Sequence, residues 1–159
     1  MNMNTFKEFQ FATIIFAILI PIHIFITYAY LMQMGTHPMP ASAFVLVNVS
    51  FVLVYILFYG MTTVVDQDRV RLIFGVGLIH ITVKLSDVQS VEVVSNPWYY
   101  GWGIRLIPNG MLYNVKGKDG VEVRLKNTAR IIRIGSTHAS ALKDAIQHSA
   151  KSFELSTFK

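Results

Sequence analysis

Two long runs without a charged side chain open the sequence. From Phe11 to Met34, and again from Ala41 to Gly60, there is no Lys, Arg, Asp or Glu. At 1.5 Å rise per residue, a helix of either run reaches about 30–36 Å, enough to cross the ~30 Å hydrocarbon core of a bilayer. The runs are separated only by Gly35-Thr36-His37-Pro38-Met39-Pro40, a segment rich in helix-breaking residues. The expected arrangement is a transmembrane helical hairpin over residues 1–61, with helices at about 9–34 and 41–60. Thr5-Phe6-Lys7-Glu8 fits the S/T-x-x-E capping box and predicts that the first helix starts at Thr5. A cleaved signal peptide is the competing reading, since Ala41-Ser42-Ala43 resembles a cleavage site. The first run is too long for one, the site lies beyond a proline-containing loop, and a second spanning run follows at once.

The rest of the chain has a different composition. Overall mean hydropathy is +0.46 with 14% charged residues, but apart from Lys7 and Glu8 the charge lies from Asp66 onwards. The net charge of +5 therefore belongs to the C-terminal part. A basic domain is attracted to an anionic leaflet by roughly 1 kcal/mol per surface cation, although moderate positive charge is also ordinary for a domain retained inside a cell. Nucleic acid is not an expected partner, because the basic residues alternate along strands and form no dense patch. The absence of cysteine excludes disulfides, thiolate metal sites and a cysteine nucleophile. Lys7 flanks the first run and Arg69 and Arg71 follow the second, while the connecting loop has no Lys or Arg. The positive-inside rule then places both termini in the cytoplasm.

Polar residues inside the runs are few, and His23 is the ionisable one. Counted from the cytoplasmic ends, His23 lies about 21 Å deep and Asn48 about 20 Å deep. The two are thus expected to hydrogen-bond across the hairpin, a contact that typically contributes about 0.6–2 kcal/mol. The competing reading is a proton or ion pathway, which two helices alone cannot enclose.

Beyond Gly60 the periodicity becomes two. Val70, Leu72 and Phe74 alternate with Arg69, Arg71 and Ile73, and Ile79, Ile81, Val83 and Leu85 alternate with His80, Thr82 and Lys84. Gly75-Val76-Gly77 and Pro108-Asn109-Gly110 read as turns. Val121, Val123 and Leu125 alternate with Glu122, Arg124 and Lys126, and Arg130–Ile134 reads as a further strand. After Gly135, with Ser136 or Thr137 as N-cap, Leu142, Ala145, Ile146, Ser149 and Phe153 share one helix face. The expected domain, over 62–150, has about seven antiparallel strands and one C-terminal helix, followed by a tail at 151–159.

In this order the motifs resemble the bacterial pleckstrin-homology-like membrane proteins. The resemblance rests on two apolar helices leading into Val65-Asp66-Gln67-Asp68-Arg69-Val70, then Gly75-x-Gly77, then Val83-Lys84-Leu85-Ser86-Asp87-Val88-Gln89-Ser90-Val91-Glu92. It continues through Asn96-Pro97-Trp98-Tyr99-Tyr100-Gly101-Trp102-Gly103-Ile104-Arg105 to the Gly135–helix junction. It implies a barrel of the pleckstrin-homology type in the cytoplasm, a bacterial inner-membrane location and no shared catalytic motif. No functional residue carries over from it.

Trp98, Tyr99, Tyr100 and Trp102, followed by Arg105, form the candidate contact for a protein partner, for another copy of the chain, or for the membrane interface. The same cluster could instead cover one end of the barrel. Asp66, Asp68 and Asp87 are better read as turn chemistry than as a metal site. His80, His138 and His148 lack ligand spacing, and no nucleophile motif is present. No cofactor is expected. Arg69, Arg71, His80, Lys84, Arg105, Arg124, Lys126, Arg130 and Arg133 fall on outward strand positions, as solvated faces or as a surface for anionic headgroups. The leading expectation is a non-enzymatic membrane-anchored binding or assembly module. An anionic-lipid-binding module is the first alternative, and a small membrane enzyme or transport subunit using His23 and Asn48 is the second.

Overall fold

The computed structural model describes residues 6–126 and 128–157. Its first element is a strand, β1 (Phe6–Phe11), followed by helices α1 (Thr13–Leu31) and α2 (Ala41–Phe58) and then strand β2 (Gly60–Val65). β1 and β2 pair antiparallel, from Phe6 opposite Val65 to Phe11 opposite Gly60. The ladder runs on into the helices, with the Ala12 N–H donating to the Tyr59 carbonyl at 2.9 Å. The helical pair is therefore the connection of a β-hairpin, and both of its ends are held by one sheet.

This corrects the expected helix start. Thr5 lies outside the described residues, and Glu8 caps nothing at α1 because it belongs to β1. A capping box competes at about 1 kcal/mol. The strand pairs a whole run of backbone groups and places Glu8 and Gln10 against polar partners in the domain. Both helices are long and apolar enough to cross a membrane, and none of their residues is buried within the protein.

Seven more strands follow: β3 (Arg69–Phe74), β4 (Ile79–Lys84), β5 (Val88–Ser95), β6 (Gly103–Ile107), β7 (Gly110–Asn114), β8 (Asp119–Leu125) and β9 (Ile131–Gly135). They form two sheets, ordered β1-β2-β3-β4 and β5-β8-β9-β7-β6. The sheets do not close into a barrel, and β9 runs parallel to β7 while pairing antiparallel to β8. The expected closed barrel of about seven antiparallel strands is thus replaced, among the described residues, by nine strands in two open sheets. The chain leaves the first sheet through a single 3₁₀ turn at Leu85–Asp87. A register shift between Val88 and Ser90 then distorts β5.

The final helix, α3 (Ala139–Thr157), packs against β5, β8, β2 and β1. It continues well past residue 150, so most of the expected tail is helical; residues 158–159 lie outside the described residues. Leu142 and Ile146 are fully buried and Ser149 nearly so, on the face read from the sequence. One core joins both sheets and α3, through Met61, Val65, Leu72 and Phe74 on one side and Val121, Val123 and Ile134 on the other. Each such side chain contributes about 1.5–3 kcal/mol by leaving water.

Contacts on two flanks fix the helical pair to the domain. Glu8 is buried beneath the start of α3, where it accepts hydrogen bonds from Ser136 Oγ at 2.5 Å, the Thr137 N–H at 3.0 Å and the Thr137 hydroxyl. Ser136 and Thr137 thus serve this carboxylate, although Ser136 Oγ also accepts the His138 N–H at 3.0 Å as an N-cap would. Burial pushes the Glu8 pKa up, but the Ser136, Thr137 and His138 hydrogen bonds outweigh it and hold the carboxyl below its usual range. Also on β1, Gln10 Nε2 donates to the Gly135 carbonyl at 2.8 Å. On the other flank the β3–β4 turn touches the end of α2. A Cβ on Gly75 (φ +49°) would lie 2.2 Å from the Ile56 carbonyl oxygen, so only glycine fits there.

Candidate functional site

The aromatic segment begins where β5 ends. The Asn96 N–H donates to the Lys118 carbonyl at 2.6 Å. Pro97 holds an extended conformation, and Trp98–Tyr100 make one 3₁₀ turn. Gly101, at φ +72°, reverses the chain towards β6. This turn does not project freely. Tyr100 lies against the Arg133 guanidinium, 5.7 Å from ring centre to Cζ, and Arg133 Nη1 donates to Asn96 Oδ1 at 3.3 Å. Arg105 Nε donates to the Trp102 carbonyl at 3.0 Å on the far side of the loop.

The sheet supplies the anchor. Paired residues share a face, and strand pairing sets Glu92, Glu122, Arg133, Leu112 and Arg105 in one row across β5, β8, β9, β7 and β6. That face is the one opposite the core residues Val121, Val123 and Ile134. Arg133 donates to Glu122 Oε2 through Nε at 2.9 Å, and Arg124 Nη2 lies 3.1 Å from Glu122 Oε1. Glu122 is buried under these two arginines. Leu112, in the same row, is fully buried although it lies outside the central core. The aromatic loop therefore lies as a flap on the outer face of the second sheet.

The flap divides its aromatics. Tyr100 and Trp102 are half-buried, whereas Trp98 is 74% exposed and Tyr99 67% exposed. Trp98, Tyr99 and Tyr100 are linked edge to face, with ring centres 6.2 Å and 5.1 Å apart. The arrangement offers two rigid, apolar rings on a clamped turn, with Arg105 exposed beside them. Sequence reading singled out the aromatic residues and missed the clamp of Asn96, Glu122 and Arg133. The signal lay in the alternation, because Glu122 and Arg133 each sit outward on strands that turn out to be neighbours.

The other candidate pair lies between the helices. His23 Nε2 is 2.9 Å from Asn48 Oδ1, and His23 Nδ1 is 3.3 Å from the Tyr55 hydroxyl. Asn48 Nδ2 donates to the Phe44 carbonyl at 2.8 Å and Thr27 Oγ1 to the His23 carbonyl at 2.9 Å. The His23 ring stacks on Phe51 at 4.4 Å, while Phe16 meets Tyr55 and Tyr30 stacks on Phe44. Phe16, His23 and Tyr30 recur every seven residues, as do Phe44 and Phe51 and also Asn48 and Tyr55. That is the spacing of a helix–helix seam. Tyr55 was missed, although its position two turns beyond Asn48 marks the same helix face. Both ring nitrogens of His23 and the Asn48 amide are engaged within this seam.

Among the remaining charged candidates, the aspartates have local partners. Arg71 binds Asp66 at 2.8 Å and Arg69 binds Asp68 at 2.6 Å, while Asp87 accepts from Ser86 Oγ at 2.9 Å. Asp66, Asp68 and Asp87 do not converge, and among the described residues no group of three or more His, Asp or Glu side chains is placed to hold a metal ion. Compared with known proteins, the chain matches no family model, no curated protein and no solved structure.

Proposed function

We propose that this chain is a membrane-anchored, non-enzymatic binding or assembly module. In this reading α1 and α2 cross the lipid bilayer, and the two-sheet domain presents Trp98 and Tyr99 to a protein partner or to a second copy of the chain. The carrying observation is the clamped flap, with two large aromatic rings exposed on a turn held by Arg133, Asn96 and Arg105. Rigid aromatic side chains in such a setting bind at low entropic cost. The helices support the anchor because both are long and apolar and none of their residues is buried within the described protein. Since β1 and β2 pair, both helix ends meet the domain on one side of the membrane. The distribution of Lys and Arg favours the cytoplasmic side, and the resemblance to bacterial pleckstrin-homology-like proteins favours an inner membrane. A basic lipid-binding face is less favoured, because Arg69, Arg71, Arg124 and Arg133 already pair with carboxylates.

The test is a photo-crosslinking residue in place of Tyr99 in native membranes, with adducts identified by mass. Discrete protein adducts, including a dimer of the chain, are the expected result. Lipid adducts alone would replace this reading with membrane contact by the flap, and purely intramolecular links would overturn it.

A further inference from the structure

We infer that the end of the first sheet next to the helices carries an apolar collar that seats the domain in the interfacial layer of the membrane. The inference rests on the reading of α1 and α2 as spanning helices and identifies a second surface that meets lipid.

Strand β1 presents the wrong face for a domain surrounded by water. Its inward positions are Glu8 and Gln10, whereas Phe9 is 53% exposed and Phe11 44% exposed. Phe11 stands opposite Gly60, the first residue of β2. The Phe9 ring covers Gly60 so closely that a Cβ there would lie 2.5 Å from it, and it faces the Tyr59 ring at 6.0 Å. Both phenylalanines thus sit at the foot of the helices. Further back along the same outward face comes Lys7, which is exposed. Outward side chains on β1 therefore run from charged to aromatic towards the helices, the order of a water-to-lipid boundary.

The β3–β4 turn repeats the pattern from the other flank. Gly75 abuts the carbonyls of Ile56 and Leu57, which sets the turn level with the last residues of α2. Beyond it Val76 is 59% exposed and Leu78 76% exposed, a pair of apolar side chains at a tight turn where polar residues are usual. Sheet order places β1 and β3 on either side of β2, so the two apolar groups bracket the strand that continues α2.

Helix length agrees with this placement. The helices have 19 and 18 residues, which span about 28 and 27 Å, slightly less than the ~30 Å hydrocarbon core. A membrane centred on them reaches the level of Phe11, Tyr59 and the turn. The chemistry these side chains fit is the boundary between headgroups and acyl chains, where apolar side chains enter to a depth of about 5–10 Å.

The sequence has no cysteine, so single-cysteine variants give unambiguous labels. The experiment places an environment-sensitive fluorophore at Leu78→Cys in the full chain, reconstituted in phosphatidylcholine–phosphatidylglycerol vesicles with lipid-borne quenchers at graded depths. Leu53→Cys, in the C-terminal half of α2 and well inside it, reports insertion of the helices, and Gln67→Cys, at the opposite end of the same sheet, reports water. The expected result is quenching of the Leu78 label by shallow quenchers, several-fold above Gln67, with Leu53 quenched by deep ones. Quenching at Leu53 with Leu78 indistinguishable from Gln67 would refute the collar and leave the spanning helices intact. No quenching at Leu53 would remove the spanning reading, and the collar with it. A Leu78 label shielded from lipid, with the unlabelled Leu78→Cys chain forming disulfide-linked dimers on oxidation, would assign the patch to self-association instead, and would also overturn the inference.

Discussion

Strands β1 and β3 belong to one sheet yet are built to opposite plans. In β3 the inward positions are Val70, Leu72 and Phe74, all buried, and the outward ones include Arg69 and Arg71. In β1 the inward positions are Glu8 and Gln10, and the outward ones Phe9 and Phe11. Each pattern is stable for a local reason. β3 lines the common core and turns its charges to Asp66 and Asp68. β1 lies at the sheet edge, where its inward face meets the polar start of α3 and its outward face meets the foot of the helices. A strand's alternation therefore reports what lies on each side of it, and inward need not mean apolar.

The largest test of this contrast is Phe74→Ala. Phe74 is fully buried and touches Phe58 and Tyr113, so it joins the first sheet both to α2 and to the second sheet. Its truncation is expected to destabilise the domain by about 3–5 kcal/mol, measured by denaturant unfolding of the detergent-solubilised chain. A loss below about 1 kcal/mol would mean that β3 is no more a core strand than β1.

The same contrast decides how much of the molecule was legible in the sequence. β3, β4, β8 and the α3 face were readable because their partners are apolar and a period of two or 3.6 suffices to find them. β1 was not, since Glu8 and Gln10 are inward only because Ser136, Thr137 and Gly135 are there to meet them, well over a hundred residues away. Local rules turned Glu8 into a helix cap. The aromatic segment stands out by composition, Trp98 through Trp102 being too concentrated to overlook. Its clamp was hidden because nothing local sets β8 beside β9, and so Glu122 beside Arg133. Likewise the His23–Asn48 contact followed from depth counting, while the absence of barrel closure depended on how the chain leaves β4, which alternation does not record.

Glu8 offers an intermediate effect with a pH signature. Replacing it by Gln removes a buried carboxylate that accepts from Ser136 and Thr137, and hydrogen bonds to a charged group contribute about 1.5–3 kcal/mol. The Glu8 pKa is lowered in the folded chain from an ordinary value of 4.5. Its contribution is therefore fully present above that value and is lost as pH falls through the folded pKa. The His138 ring lies against the same carboxylate, with Nδ1 3.3 Å from Glu8 Oε1. The expected result is acid loosening of β1 below about pH 4.5, seen as faster amide exchange in residues 6–11, with Glu8→Gln already loosened at neutral pH and lacking that step. Equal pH profiles for the two proteins would show that Glu8 does not hold β1.

The smallest effect is expected at Phe9, and it bears most directly on what lies outside β1. About half of the Phe9 surface is already exposed in the folded chain. Full burial of such a side chain contributes about 1.5–3 kcal/mol, so Phe9→Ser should cost only about 1 kcal/mol in detergent-solubilised protein, mostly through contact with Gly60 and Tyr59. That is well below the cost of Phe74→Ala, although both are phenylalanines of one sheet. If the two substitutions cost the same by the same unfolding measurement, the outward face of β1 must be covered by protein, and the opposition between the two strands fails. If they differ as expected, the exposed rings contribute little to the fold, and their aromatic character answers to what surrounds the helices.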